Sequence, residues 1–522
     1  MVVQTPIYFN FARDVMERQA RERPDACALW CVDESGRNQR KFSFRQLAES
    51  FRRAAGLFHA MGIRRGDRVL TILPRIPQWW IAILGLTKLG AVPIPGTPLL
   101  TAKDIRYRAE AVEARAIITD AEGAAKVEQF DGVRLLVVSE RSGWTNFDEG
   151  MRDASPEFDC EPTRSDEPAI IYFTSGTTGP PKMVLHTQAS YGLGHRLTGQ
   201  LWLDLKPEDV HWCLTDTGWA KAAWSCLFGP WQMGACVFAV DARGKFDPSA
   251  ALRTLASYPV TTWCAPPTAL RLMVREDLSA YRFTTLRHCV SAGEPLNPEV
   301  MAAWKAATGL TIYEGYGQTE TVVLIGNFRP CGDEVRPGSM GKPTPGFTVA
   351  LLDDDLQELP AGREGEVGVR VKPQPPLGLF QEYWRNPAEN AARFRGDWYL
   401  TGDRAVRDAD GYYWFVGRGD DVIKSAGYRI GPFEVESALV EHPAVLEAAV
   451  VGKPDPVRGQ IVKAFVVLRK DRLPGEELKR ELQEHCKRVT APYKYPREIE
   501  FLAELPKTIS GKTRRVELRR RL

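Results

Sequence analysis

The sequence is poor in the arrangements from which metal centres and disulfide scaffolds are built. Its seven histidines are scattered singly, and its ten cysteines, Cys27 and Cys31 among them, include no CxxC pair with a matching second half. That spacing argues against a zinc site and makes the cysteines small buried residues of a reducing compartment. Excess charge of one sign is also missing. The net charge of +3 is too small to point to nucleic acid or to a membrane surface. No long apolar stretch opens the chain and no uninterrupted run of about 20 apolar residues occurs, so no integral membrane association is expected. A soluble, cytoplasmic protein is the expectation. Repeats and low-complexity segments are absent as well.

What is present is the balance of a globular protein, 44% hydrophobic and 26% charged over 522 residues, long enough for roughly two to four domains. Short apolar runs alternate with helical patterns through the first two thirds. Strands are expected at 68–73, 90–94, 116–119, 135–139, 169–173, 235–240 and 286–291, with a helix over 79–89. Such alternation predicts mostly parallel sheets covered by helices, with ligands beyond the carboxyl ends of strands. From about Gly346 the texture turns to shorter, turn-rich segments, which predicts a small antiparallel sheet or barrel. After Gly417-Arg418-Gly419-Asp420-Asp421 a new alternation begins, with helices near 432–441 and 475–488 and strands near 448–451, 462–468 and 498–501. About 100 residues with their own apolar strands can form a small domain. The basic tail from Lys512 to Arg521, interrupted by glutamate and apolar residues, reads as a solvated helix end rather than a binding arm.

The most informative segment is Thr174-Ser175-Gly176-Thr177-Thr178-Gly179-Pro180-Pro181-Lys182. Glycines let backbone N–H groups converge on an anion, hydroxyls add donors, and the lysine supplies a point charge. It is not a Walker A loop, because it does not end in Gly-Lys-Ser/Thr. Alone, it fits a solvated turn as well as a phosphate cradle. The segment belongs to an ordered series, however. Ser291-Ala292-Gly293-Glu294-Pro295, Tyr313-Glu314-Gly315-Tyr316-Gly317-Gln318-Thr319-Glu320 and Tyr399-Leu400-Thr401-Gly402-Asp403 follow, then Gly417 to Asp421, Ser425-Ala426-Gly427-Tyr428-Arg429 and Ser510-Gly511-Lys512.

In order and spacing this series resembles the adenylate-forming superfamily of acyl-CoA synthetases, adenylation domains and luciferases, over about residues 42–515. Asp216 to Lys221 and Gly427 to Glu436 narrow the likeness to medium-chain acyl-CoA synthetases. The resemblance implies an α/β fold. A large N-terminal domain (1–419) of helix-covered, mostly parallel sheets would include a small β-barrel-like subdomain. A small, mobile α+β C-terminal domain (420–522) would be hinged at Asp420. It also implies the reaction. A carboxylic acid attacks the α-phosphorus of ATP, pyrophosphate leaves, and the acyl-adenylate passes its acyl group to CoA.

The residue roles follow from the same likeness. Thr174, Ser175, Gly176, Thr177, Thr178, Gly179 and Lys182 would hold the β- and γ-phosphates. Glu320 would bind Mg²⁺, a cation that prefers oxygen ligands and bridges phosphates. Thr319 would bond the α-phosphate, and Lys512 would bridge the acid and the α-phosphate as charge builds. Asp403 and Arg418 would take the ribose. Tyr316 would face the adenine, opposite Gly293, Glu294 and Pro295, with Glu314, Gly315 and Gln318 completing the ATP site. Ala426, Gly427, Tyr428 and Arg429 would line the way in for CoA. Gly317, where acetate-specific relatives carry a tryptophan, would open the acyl pocket approached by Trp219, Lys221 and Trp224.

The partners implied are thus a small carboxylic acid, ATP, Mg²⁺ and CoA; the resemblance also leaves open a homodimer and a lysine acetyltransferase acting on Lys512. Competing expectations are a carrier-protein loader or luciferase-like oxygenase, an aromatic-acid CoA ligase, and a non-catalytic nucleotide sensor. No carrier domain follows Lys512 in this sequence, which weighs toward CoA, and intact Lys512, Glu320, Asp403 and Arg418 weigh against a sensor.

Overall fold

The computed structural model describes residues 5–160, 162–174, 181–426, 428–470, 472–507 and 512–522. Two parallel sheets organise the first 340 residues. The larger has nine strands. Six of them run parallel from Ile312–Tyr316 through His288–Ala292, Thr262–Ala265, Val210–Cys213 and Cys236–Asp241 to Cys27–Asp33, with short antiparallel strands at both edges. The smaller has five parallel strands ordered Val92–Gly96, Arg68–Ile72, Ala116–Thr119, Val133–Leu136 and Thr145–Asn146. Strands buried on both faces must be apolar throughout, which is why these runs lack alternation. Helix Pro77–Leu89 follows the same rule. All thirteen of its residues are buried, and Lys88 is tolerated there because Glu17 and Asp159 pair with it. Helix Phe44–Ala60 packs alongside, started by a reciprocal cap between Ser43 and Gln46.

The apolar run before the phosphate-loop motif departs from the expected parallel arrangement. Strand Pro168–Thr174 pairs antiparallel with Lys182–Thr187, in a three-stranded sheet completed by Glu382–Tyr383. The motif therefore joins two arms of a hairpin whose last pair is Thr174 with Lys182, rather than leading from a parallel strand into a helix. The turn-rich region after Gly346 forms a five-stranded antiparallel sheet of Val349–Leu352, Glu364–Arg370, Trp398–Arg407, Phe394–Arg395 and Tyr413–Arg418. Among the described residues no pairing joins its ends, so it is an open sheet and not a barrel.

From Ile423 onward the chain builds another sheet, ordered Tyr428–Ile430, Ile423–Ser425, Gly459–Leu468 and Val445–Asp455, with Glu498–Phe501 added in parallel to Gly459–Leu468. Helices Pro432–Glu441 and Glu476–Val489 close a core of its own around Val435, Leu439, Ala464 and Leu482. The basic tail is solvated only in part: Lys512, Arg514, Arg520 and Arg521 are exposed as expected, but the short helix between them docks. In helix Arg515–Arg519, Leu518 is buried, Arg515 pairs with Glu436, and Arg519 pairs with Asp421. Those acidic partners lie far away in sequence, so charge runs alone did not reveal them. Among the described residues no helix is long and apolar enough to cross a membrane.

Candidate active site

The carboxyl ends of strands His288–Ala292 and Ile312–Tyr316 open beside the long strand Trp398–Arg407, and the motifs meet there. Asp403 is almost fully buried. Its Oδ2 accepts hydrogen bonds from the Tyr316 hydroxyl (2.6 Å) and from Gln318 Nε2 (2.6 Å). Gln318 also donates to the Thr401 carbonyl at 2.9 Å and accepts from the Tyr399 hydroxyl at 3.0 Å. Arg418 stands opposite Asp403 in the antiparallel register. Burial raises the Asp403 pKa, while Tyr316, Arg418 and Gln318 pull it back. Arg418 Nε is buried without a hydrogen-bond partner among the described residues, although Asp420 lies 3.6 Å away. A donor left over beside a buried carboxylate suits a polar ligand such as a sugar hydroxyl.

The Gly317-Gln318-Thr319-Glu320 turn is clamped from below. The Thr319 carbonyl accepts from His186 Nε2 at 2.8 Å and from the Tyr191 hydroxyl at 2.6 Å, and these two rings stack at 3.4 Å. Burial pushes the His186 pKa down to about 3. The neutral ring must carry its proton on Nε2 to donate there, so Nδ1 accepts from Ser190 at 3.0 Å. Glu320 accepts from the Tyr383 hydroxyl at 2.8 Å. Its surroundings raise its pKa by desolvation, against the pull of Tyr383, Lys182 and Arg393. Glu314 is buried one strand position before Gly315; burial raises its pKa to about 8, while Leu296 N–H donates to it at 3.1 Å. It thereby ties the Gly293-Glu294-Pro295 loop to the neighbouring strand, and Arg271 holds Glu294 at 2.9 Å.

Lys512 reaches this same crevice from the C-terminal unit. It retains contact with water, but protein crowds it closely enough to lower its pKa by desolvation. Glu294 and Asp403 raise that value, while Lys221 and Arg418 lower it, which places four predicted site residues around one amine. Lys221 Nζ donates to the Ala292 carbonyl at 2.7 Å, beside Gly293. Trp219 and Trp224 are half-buried in the same segment, and Trp224 packs on Trp202 with ring centroids 5.3 Å apart. Trp202 fills the space that a side chain at Gly315 would need. At Gly317 an added Cβ would lie 2.6 Å from the Val322 carbonyl oxygen. A side chain there would therefore need the Val322 backbone to shift.

Thr174 and Lys182 end the paired arms of the hairpin, whereas Ser175, Gly176, Thr177, Thr178 and Gly179 lie outside the described residues. Gly427 does too. Its neighbours Ala426, Tyr428 and Arg429 are exposed and turned to other partners: Tyr428 stacks on Tyr493 at 4.1 Å, and Arg429 lies 3.5 Å from Glu364. Asp420, also exposed, occupies the turn between the last strand of the open sheet and Ile423. Several neighbours escaped the sequence reading: His186, Tyr191, Tyr383, Glu389 and Arg393. Each lies outside the motifs and touches a motif residue only in the folded chain, so contact alone reveals it.

A sequence model of the family described as AMP-binding enzyme matches residues 16–384, and one of the AMP-binding enzyme C-terminal domain matches residues 434–512. The rat acyl-coenzyme A synthetase ACSM3, mitochondrial, is 51% identical over 99% of this chain and 91% of its own length. Human ACSM4, mitochondrial, is 51% identical over 98% and 90%. Among solved structures, the anthranilate CoA ligase AuaEII in complex with anthranoyl-AMP superposes with a TM-score of 0.90 at 32% identity, covering 99% of this chain and 98% of that one. The benzoate CoA ligase from Burkholderia xenovorans gives 0.86 at 30%, covering 98% and 100%. The relatives named mitochondrial overturn the expected cytoplasmic placement. Composition could not have decided it, because both compartments are aqueous and reducing.

Proposed function

The chain belongs to the AMP-binding enzyme family and is an acyl-CoA synthetase, and on that premise we propose that it activates medium-length or branched carboxylic acids. ATP, CoA and a small carboxylic acid are its substrates. What carries the reading of the site is the meeting of Lys512 with Glu294, Lys221, Asp403 and Arg418 in one crevice.

In the adenylation step two anions approach, the acid and the α-phosphate, and the Lys512 ammonium lies where it can offset both as the new P–O bond forms. Asp403 and Arg418 orient the ribose, and Tyr316, fixed by its bond to Asp403, presents its ring to the base. Thr319 is held by its carbonyl, which leaves its hydroxyl for the α-phosphate. Thr174 and Lys182 flank the hairpin segment that retains the departing pyrophosphate. Glu320 fits a Mg²⁺ ligand, since its burial is unfavourable without a cation. Among the described residues no group of three or more acidic, histidine or cysteine side chains gathers, so such an ion would take its remaining oxygens from phosphate and water. Bound there, Mg²⁺ would neutralise phosphate charge.

Thioester formation needs a thiol where Lys512 now stands. We assign the C-terminal unit, residues 420–522, a rotation about Asp420 that withdraws Lys512 and brings Ala426 to Arg429 to the site. Supporting it, these residues are exposed and engaged elsewhere in the present arrangement. Acylation of Lys512 by a lysine acetyltransferase would remove the charge that adenylation uses; mass spectrometry after incubation with an acetyl donor tests it.

The test of substrate class is acid-dependent AMP release with CoA across straight-chain, branched and aromatic acids. Highest kcat/KM on medium-length aliphatic acids supports the proposal. The likeness to anthranilate and benzoate ligases favours a second reading, an aromatic-acid CoA ligase, which best turnover of benzoate or anthranilate would establish instead.

A further inference from the structure

Two charged side chains on the short helix Pro387–Arg393 stand at this site without belonging to any of its motifs. Glu389 Oε1 accepts from both Lys182 Nζ and Arg393 Nε, the latter at 2.9 Å. Although burial works against it, these two cations hold the Glu389 carboxyl below its ordinary pKa, so it is ionised. Lys182 also lies 5.2 Å from the centroid of the Tyr383 ring, whose hydroxyl donates to Glu320. Arg393 extends the other way. Its guanidinium packs on the backbone of Gly402, where an added Cβ would come 2.4 Å from Nη1, and its charge acts on Glu320. Gly402 has φ +78° and immediately precedes Asp403, so glycine is required both for the turn and for the close approach.

Arg393 thus lies against the residue preceding Asp403, which the reading above gives to the ribose, and its charge is felt at Glu320. On that reading, which this inference extends, the triphosphate spans the interval between those two carboxylates. The bond to Glu389 uses Nε, and Nη1 lies 4.0 Å from Glu366, a loose pair beyond hydrogen-bond distance, so the guanidinium keeps N–H donors in a fork suited to phosphate oxygens. We propose that Arg393 is a second cation of the polyphosphate site, contacting the β- and γ-phosphates of ATP and the pyrophosphate that leaves. Glu389 is the positioning residue. It keeps Lys182 and Arg393 together and partly neutralised while the site is empty, and phosphate replaces its hold on Lys182 when ATP arrives.

The experiment is calorimetric titration of the full chain with Mg²⁺-ATP, Mg²⁺-pyrophosphate and AMP, alongside pyrophosphate–ATP exchange. Losing a charge-assisted contact should make Arg393→Gln bind ATP and pyrophosphate about tenfold more weakly. AMP, which lacks the β- and γ-phosphates, should bind within about twofold of wild type. Arg393→Lys should recover part of the loss. Unchanged ATP and pyrophosphate affinity overturns the assignment, and so does an equal loss for AMP, which would mark Arg393 as a support of the fold. Should Arg393→Gln fail to fold, Glu389→Gln decides. With the competing carboxylate gone, ATP should bind about threefold more tightly and AMP unchanged; weaker ATP binding overturns the exchange of partners. Wild-type protein that binds ATP, responds to these substitutions as stated and yet shows no acid-dependent exchange would defeat the proposed function and leave this inference standing.

Discussion

The two walls of the active-site crevice are held in different ways. The wall proposed to take the nucleotide joins two sheets through short hydrogen bonds between buried and half-buried groups, among them Tyr316, Gln318, Asp403 and Tyr399. The wall that brings Lys512 belongs to a unit with a separate sheet and core. Polar contacts across the junction include Asn297 to Ser437 at 2.7 Å, Arg275 to the Leu446 carbonyl at 2.8 Å and Arg429 to Glu364 at 3.5 Å. Contacts of that kind are each worth little, because water offers nearly the same bonds. A buried network resists rearrangement, whereas such a junction exchanges partners at small cost. The first suits recognition, and the second suits the proposed role of Lys512, needed in one half-reaction and withdrawn in the other.

The sharpest way to break this comparison is Lys512→Ala. Adenylation, read by acid-dependent pyrophosphate exchange, should fall by about 10²- to 10³-fold, while thioester formation from supplied acyl-adenylate is largely kept. Equal loss in both steps would mean that the walls do not act separately. Next, Asp403→Ala leaves two half-buried donors, Tyr316 and Gln318, without their shared acceptor. Stability should drop by about 3 kcal/mol in denaturant titrations, and ATP affinity should fall with it.

Glu314→Gln probes the nucleotide wall through pH. Burial holds the Glu314 pKa near 8, above its ordinary 4.5, so the folded state favours the protonated form. Its stabilising contribution is complete below 4.5 and is lost as pH rises through 8. The neutral glutamine should therefore melt close to wild type at acid pH and above it at alkaline pH, by on the order of a few kcal/mol. A constant difference across the range would contradict the assignment. Smallest of all, Asn297→Ala removes one bond of the junction and should cost under about 1 kcal/mol of stability. It should still shift the ratio of adenylation to thioester rates; an unchanged ratio would count against the junction as the element that moves.

Much of this was legible beforehand. Strands Ala116–Thr119 and Glu498–Phe501 and helix Pro432–Glu441 lie where apolar runs and their breaks predict them. Other ends moved by a few residues, as 135–139 did to Val133–Leu136, because the last pairs of a strand depend on its neighbours. Strand Pro168–Thr174 shows what pattern cannot supply. A buried antiparallel strand and a buried parallel one look alike in sequence, since burial on both faces makes each apolar. The docked tail from Arg515 to Arg519 repeats the lesson for charge, its partners Asp421 and Glu436 lying far upstream.

For the site, the order of motifs from Thr174 to Lys512 pointed to the family, because glycines, hydroxyls, acids and a lysine at set places are a property of the chain alone. It did not determine what holds them. The grip of His186 and Tyr191 on the Thr319 carbonyl, the bond of Lys221 to the Ala292 carbonyl, and the pairing of Lys182 with Glu389 join residues dozens to more than two hundred positions apart. Hydrogen bonds and ion pairs act over a few ångströms, and only the folded chain decides which distant groups come that close.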